Sequence, residues 1–179
     1  MKKIKNKSQI NIVSKILADG FINDPLYLKL LNKDKDKLQS VFYNYLNMCF
    51  DSFYMVEYNN FDGVMVIFDS TKDFDTDFKV NPDLKPILDK MDNSKADDYY
   101  NDYCLLDLLC VKEKARGKGI SKKLINEFLR YSNEKKLPAI VEIFNKDSIS
   151  FYKKMGFKLK YETKNENVSG FILEYKNAV

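Results

Sequence analysis

Apolar residues recur at helical spacing through the first fifty positions and then gather into short runs. Ile12, Val13, Ile16 and Leu17 fall on one face of a helix that Ser8 would cap and Gly20 would end. Asp24-Pro25 marks the start of a short second helix, because Pro at the first helical position gives up an N–H that has no helical partner there. Leu38, Val41, Phe42, Tyr45, Leu46, Cys49 and Phe50 form one wide apolar face, which predicts a third, core-packed helix over residues 35–52. Strands are expected at 54–58 and 64–69, joined through the hairpin signal Asn59-Asn60-Phe61-Asp62-Gly63. Residues 70–81 are polar and acidic and read as a loop, and 82–91 as a helix interrupted or restarted at Pro86.

In the second half the period changes. The negative cluster at residues 97–102 reads as a solvated loop, with attraction of a substrate amine as the alternative. A buried strand follows at 103–111, then a helix at 121–133, a strand at 139–144 and a helix at 147–155. Strands at 157–164 and 169–176 close the chain as a hairpin around Asn165-Glu166-Asn167. A strand–helix–strand unit of this kind makes a right-handed crossover onto a parallel pair, here 103–111 beside 139–144. Ligands in open α/β sheets bind beyond the carboxyl ends of such strands.

The chain has 179 residues, the size of one ordinary domain, and neither a repeat nor a low-complexity linker divides it. A net charge of +4 from 30 basic and 26 acidic residues scattered along the chain lacks the basic stripe of a nucleic-acid binder. Cys49, Cys104 and Cys110 are odd in number and have no CxxC spacing, so buried thiols in a reducing compartment are expected rather than disulfides or a metal site. Polar residues interrupt any apolar segment after the basic start, and no run approaches the ~18 apolar residues of a membrane span. These features lead us to expect a cytoplasmic protein without membrane or nucleic-acid partners.

Chemistry concentrates where the strand at 103–111 gives way to Arg116-Gly117-Lys118-Gly119-Ile120-Ser121. A turn that gathers free backbone N–H groups at a helix N-terminus is an anion site, and glycines let the backbone approach the ligand. It is not a mononucleotide P-loop, because Lys118 precedes the second glycine and the spacing is wrong; nor is it a dinucleotide turn, because Lys122 stands where a third glycine is required. The remaining pattern, Arg-x-x-Gly-x-Ser, resembles the pyrophosphate-binding turn of the GNAT superfamily of acyl-CoA N-acyltransferases, with Ser121 in place of a Gly or Ala. A second segment, Asn145, Ser148, Phe151-Tyr152 and Gly156-Phe157, is similar to the later motif of that family and lies one helix and one strand downstream.

The resemblance implies an α+β variant of the α/β class: a mixed, mostly antiparallel twisted sheet with a central splayed parallel pair, flanked by helices. It also implies acetyl-CoA as co-substrate, no metal, and a small-molecule or protein amine as acceptor, in a monomer or homodimer. On this reading the backbone from Gly117 to Ser121, including Ile120, holds the pyrophosphate, and Arg116 adds charge. Lys118 reaches the ribose phosphate, whereas Lys122 and Lys123 read as a solvated helix face. Leu109, Cys110 and Val111 border the pantetheine arm, and backbone N–H groups near Cys110 and Val111 become the oxyanion donors. Asn145 bonds the arm, Ser148 assists or caps, Phe151 packs beside it, and Tyr152 protonates the departing thiolate.

With no His in the chain, Cys110 lacks the usual activating partner of a nucleophilic cysteine. The base then falls to a carboxylate, a Tyr or a relayed water; Glu142 and Asp107 lead because each sits in an apolar strand where burial raises a carboxyl pKa, and Glu142 ranks first because it is close to the expected pantetheine site. The competing expectation is a non-catalytic acyl-CoA-binding module that keeps the fold. The acceptor pocket is expected among the first helices, the 64–69 strand and the last hairpin.

Overall fold

The computed structural model describes residues 1–72, 81–91, 95–165 and 167–175. Most of the predicted 70–81 loop, Glu166 in the last turn and Lys176 at the end of the last strand lie outside the described residues.

Asn6, not Ser8, supplies the first cap. Its side chain accepts the Ser8 N–H at 2.9 Å and opens a 3-10 turn, Lys7–Gln9, that runs into helix α1 (Ile10–Phe21). Gly20 lies inside α1 rather than beyond it, because the helix there presses on the Cys110 side chain and leaves no room for a Cβ. Ile12 is exposed, and Ile10 takes its place on the buried face. Helix α2 (Pro25–Leu31) starts at Asp24, whose carboxylate accepts the Leu26 N–H at 3.0 Å. Helix α3 (Lys35–Met48) ends four residues before the expected 52, because the Ser52 and Phe53 N–H groups both turn back to the Cys49 carbonyl and drop Phe53 into the core. Helix α4 (Lys85–Met91) has Pro86 at its second position, where the ring starts the helix and interrupts nothing.

Seven strands make one sheet: β1 (Lys2–Lys3), β2 (Tyr54–Tyr58), β3 (Gly63–Asp69), β4 (Cys104–Val111), β5 (Ala139–Ile143), β6 (Phe157–Asn165) and β7 (Val168–Tyr175). Their order is β1-β2-β3-β4-β5-β7-β6, and only β4 and β5 pair in parallel. The two-residue β1 pairs with β2 and carries too short a pattern for periodicity to reveal. Residues 95–98 form a 3-10 turn rather than a free loop, and Asp97 accepts the Tyr103 hydroxyl at 2.7 Å.

Helices cover both faces. On one, α1, α3 and α4 bury Ile10, Val13, Leu17, Val41, Phe42 and Leu46 against Val64, Val66, Leu108 and Cys110. On the other, helix α5 (Ile120–Lys135) buries Ile120, Leu124, Ile125 and Phe128 against Met65, Ile67, Leu106 and Val141; helix α6 (Ser148–Lys154) adds Tyr152. Each fully buried side chain of this size contributes ~1.5–3 kcal/mol, so this face fixes where α5 begins. Gly63 permits the approach, since a Cβ there would stand 2.7 Å from Ile120 Cγ2.

Strand β4 carries a bulge. Val66 faces Leu108 and Ile67 faces Leu106, so Asp107 has no partner on β3. Leu106 consequently packs in the α5 layer and Leu108 in the α1 layer, although they lie two apart in sequence. The parallel ladder stops just before this point, at Cys104–Ala139 and Leu105–Ile140, and β5 continues beside β7 alone. A wedge opens between β4 and β5 toward their carboxyl ends.

Candidate active site

Two adjoining cavities occupy the wedge. The inner one, about 170 Å³, has the carboxyl halves of β4 and β5 as walls, including Asp107, Leu109 and Glu142, with Tyr152 from α6 and Phe21, Asp24 and Tyr27 closing it from the α1–α2 junction. The outer one, about 390 Å³, runs from Asp24, Asn145 and Ser148 past Leu109, Cys110, Val111 and Phe151 to Arg116 and Ser121. Residues from two distant sequence motifs thus line one continuous channel. Past Leu105 the edge of β4 that faces β5 has no strand on it, so alternate N–H groups of its carboxyl half turn toward the channel.

The glycine turn ends this channel. Gly117 and Gly119 have φ of 77° and 72°, left-handed values that L side chains seldom adopt, and nothing lies within 4 Å of a Cβ built on either. Backbone conformation, not crowding, therefore requires glycine here, and the space in front is open. Gly119 is the N-cap of α5, so that helix starts at Ile120 rather than Ser121. Its first-turn N–H groups have no intrahelical acceptor and sit at the positive end of a 16-residue helix. The Ile120 side chain is in the core and leaves only its backbone to a ligand, Lys118 is exposed, and Arg116 donates to the Val111 carbonyl at 3.3 Å. An anion needs no further donors here.

Asn145 makes the turn before α6. Its Oδ1 accepts the Asp147 N–H at 3.0 Å and its backbone carbonyl accepts the Ser148 N–H at 3.0 Å, so the side-chain NH2 is the group left to donate into the channel. Tyr152 is held edge-on by Phe151 and Phe157, and burial raises its phenol above the usual range, so it stays protonated at neutral pH. Cys110 donates its thiol to the Ile16 carbonyl, and burial pushes its pKa up to about 11, which keeps it a thiol.

The three carboxylates differ. Asp107 accepts the Tyr45 hydroxyl at 3.1 Å. Glu142 accepts the Lys95 backbone N–H and the Thr163 hydroxyl, each at 3.1 Å, and so ties the 95–98 turn to β6. Asp24 is the acid that the sequence reading passed over as a helix cap. It lines both cavities, and burial, partly offset by the N–H groups of Leu26 and Tyr27, raises its pKa to about 6. Its sequence signal was complete as Asp-Pro capping, so nothing local pointed to a second role. Among the described residues, no group of three or more potential ligands gathers to hold a metal ion, and no helix is long and apolar enough to cross a membrane.

Residues 91–159 match the family model described as Acetyltransferase (GNAT) domain. No curated protein matches the chain by sequence. Among solved structures, the histone acetyltransferase HPA2 and related acetyltransferase from Corynebacterium glutamicum is similar with a TM-score of 0.71 and 14% identity, over 100% of this chain and 98% of that one. The C-terminal condensation domain of Ebony, in complex with beta-alanyl-dopamine, gives 0.68 and 12% over 97% of each chain. An N-acetyltransferase from Staphylococcus aureus gives 0.56 and 15% over 94% of this chain and 96% of that one. At such identities the likeness is one of fold, and it extends beyond the matched segment to nearly the whole chain. The glycine turn and the splayed strands both lie within residues 91–159, the segment that matches the GNAT acetyltransferase domain, and the rest of the chain shares the fold of these solved structures.

Proposed function

We propose that this chain is an N-acetyltransferase that moves an acetyl group from acetyl-CoA directly to a primary amine of a small molecule or a protein, in a ternary complex. The observation that carries this reading is the meeting of the two cavities at Asp24, Leu109, Asn145 and Ser148. One cavity leads to an anion-binding turn and the other ends among carboxylates, so donor and acceptor would meet without a carrier residue between them. Relatives of this fold described as an N-acetyltransferase and a histone acetyltransferase support an amine acceptor.

On this reading the glycine turn holds the pyrophosphate, Asn145 donates to the pantetheine arm, and the Cys110 thiol stays a spectator. Asp24, with a pKa of about 6, takes a proton from the incoming ammonium at neutral pH. The neutral nitrogen attacks the thioester carbonyl, and N–H groups on the open edge of β4 receive the oxyanion. When the C–S bond breaks, Tyr152 gives its proton to the thiolate and regains one from the amide nitrogen through solvent. The nitrogen loses two protons, the thiolate gains one, and one leaves the site. Asp107 and Glu142 supply negative charge that draws the ammonium in.

Calorimetry with acetyl-CoA and thiol release across an amine panel test the reading. Binding together with amine-dependent thiol release is expected. Binding without release for any amine would leave a non-catalytic acyl-CoA-binding module, and no binding would overturn both.

A further inference from the structure

Tyr27 has a side chain made to meet a ligand. It is 7% exposed, its ring is locked between Phe21 and Phe42, and its hydroxyl makes no hydrogen bond among the described residues. No fully buried side-chain oxygen among the described residues lacks a partner, so this hydroxyl is not sealed in the core, and Tyr27 lines the inner cavity. Asp24 and Asp107 line the same space, close enough that both charges add to burial in raising the Tyr27 phenol. A phenol oxygen and two carboxylates therefore surround one gap, with Glu142 on the β5 wall. No Lys or Arg lines this cavity among the described residues.

Such a wall discriminates. An amino acid would bring its carboxylate against two or three acidic groups, with no Lys or Arg among the described lining residues to receive it, whereas a second ammonium would meet opposite charge. Size sets the other limit: a cavity of about 170 Å³ suits a short chain rather than a bulky acceptor. Phe21, Leu106, Val141 and Phe144 supply apolar surface for a methylene chain between the two ends.

Resting on the acyltransferase reading above, we propose that the acceptor is a short aliphatic diamine without a carboxylate, one nitrogen facing Asp24 and the other held by Asp107 and Glu142, with the Tyr27 hydroxyl accepting from an ammonium. Binding and turnover separate the two claims. Calorimetry with putrescine, with ornithine, which adds only the carboxylate, and with butylamine, which lacks the second nitrogen, needs no catalysis. The expected order of affinity is putrescine, butylamine, ornithine, with at least tenfold between first and last. Tyr27→Phe keeps the ring and loses no internal hydrogen bond; putrescine affinity should fall several-fold while acetyl-CoA affinity and melting temperature hold. Ornithine or butylamine binding as tightly as putrescine, or no measurable binding of putrescine, overturns the proposal. Putrescine binding in the expected order without thiol release from bound acetyl-CoA would retain the site and overturn the acyltransfer reading instead.

Discussion

Replacing Asp24 by Asn separates the cost of a buried carboxylate from its use. The Asp24 pKa stands at about 6 against a usual 3.8, a rise of about two units that corresponds to roughly 3 kcal/mol between the two protonation states. The sign follows from the direction. Below pH 3.8 the acid is protonated in both folded and unfolded chains and costs nothing; as pH climbs through 6 it ionises in the folded state too, and the stability that its protonated form preserved is lost. Asn carries no charge and still caps α2, since its side-chain oxygen accepts the Leu26 N–H as Asp24 does. Thermal unfolding of parent and Asp24→Asn should therefore coincide near pH 4, whereas at pH 8 the variant should be more stable by about 2–3 kcal/mol. At ~2–4 °C per kcal/mol for a chain of this length, that is roughly 4–12 °C in melting temperature. Turnover should move the opposite way, falling ~10²–10⁴-fold as for loss of a general base, and the parent's kcat/KM should rise with pH through about 6. Equal melting temperatures at pH 8 would show that the carboxylate is not destabilised, and undiminished turnover would remove Asp24 from the chemistry.

Gly119→Asp should fold, because Asp tolerates a left-handed φ, caps helices well and meets nothing within 4 Å at its Cβ, yet its charge would face the proposed pyrophosphate site; calorimetry should show acetyl-CoA affinity down at least tenfold with the circular dichroism unchanged. Tyr152→Phe keeps the ring against Phe151 and Phe157, so thiol release should fall at least tenfold while acetyl-CoA affinity stays within a few-fold. Gly20→Ala forces a methyl into the Cys110 side chain at the channel wall and should lower stability by ~1–3 kcal/mol in denaturant titration; an unchanged midpoint would mean that α1 shifts freely there.

Local features were legible in the sequence. Left-handed glycines before a helix, Asp-Pro at a helix start and a parallel crossover each leave a signal within a few residues. What escaped was long-range or hidden by a sufficient local explanation. The contacts of Glu142 reach 47 and 21 residues along the chain, so its ties to Lys95 and Thr163 have no sequence pattern. The Asp107 bulge sits in a run apolar on both sides, where one inserted residue does not disturb an alternation that was never visible. The expected helix over residues 35–52 overran the true end of α3 because Cys49 and Phe50 belong to the same core and prolong the apolar count past the last helical turn.

The two-pair ladder between β4 and β5 divides the sheet unequally in cooperative terms. Strands β2 to β4 form one antiparallel block, with the two-residue β1 at its edge, and β5 to β7 another, and the seam between them is Cys104–Ala139 and Leu105–Ile140. The core under α5 spans the seam, from Met65, Ile67 and Leu106 to Val141, Phe171 and Leu173, so side-chain packing rather than backbone pairing holds the two blocks together there. On the proposed reading, a donor wedged between β4 and β5 would touch both blocks and act as a missing rung of the ladder. Occupancy would then be coupled to cohesion: amides beside a seam two residue pairs long should exchange more slowly with acetyl-CoA bound than without it.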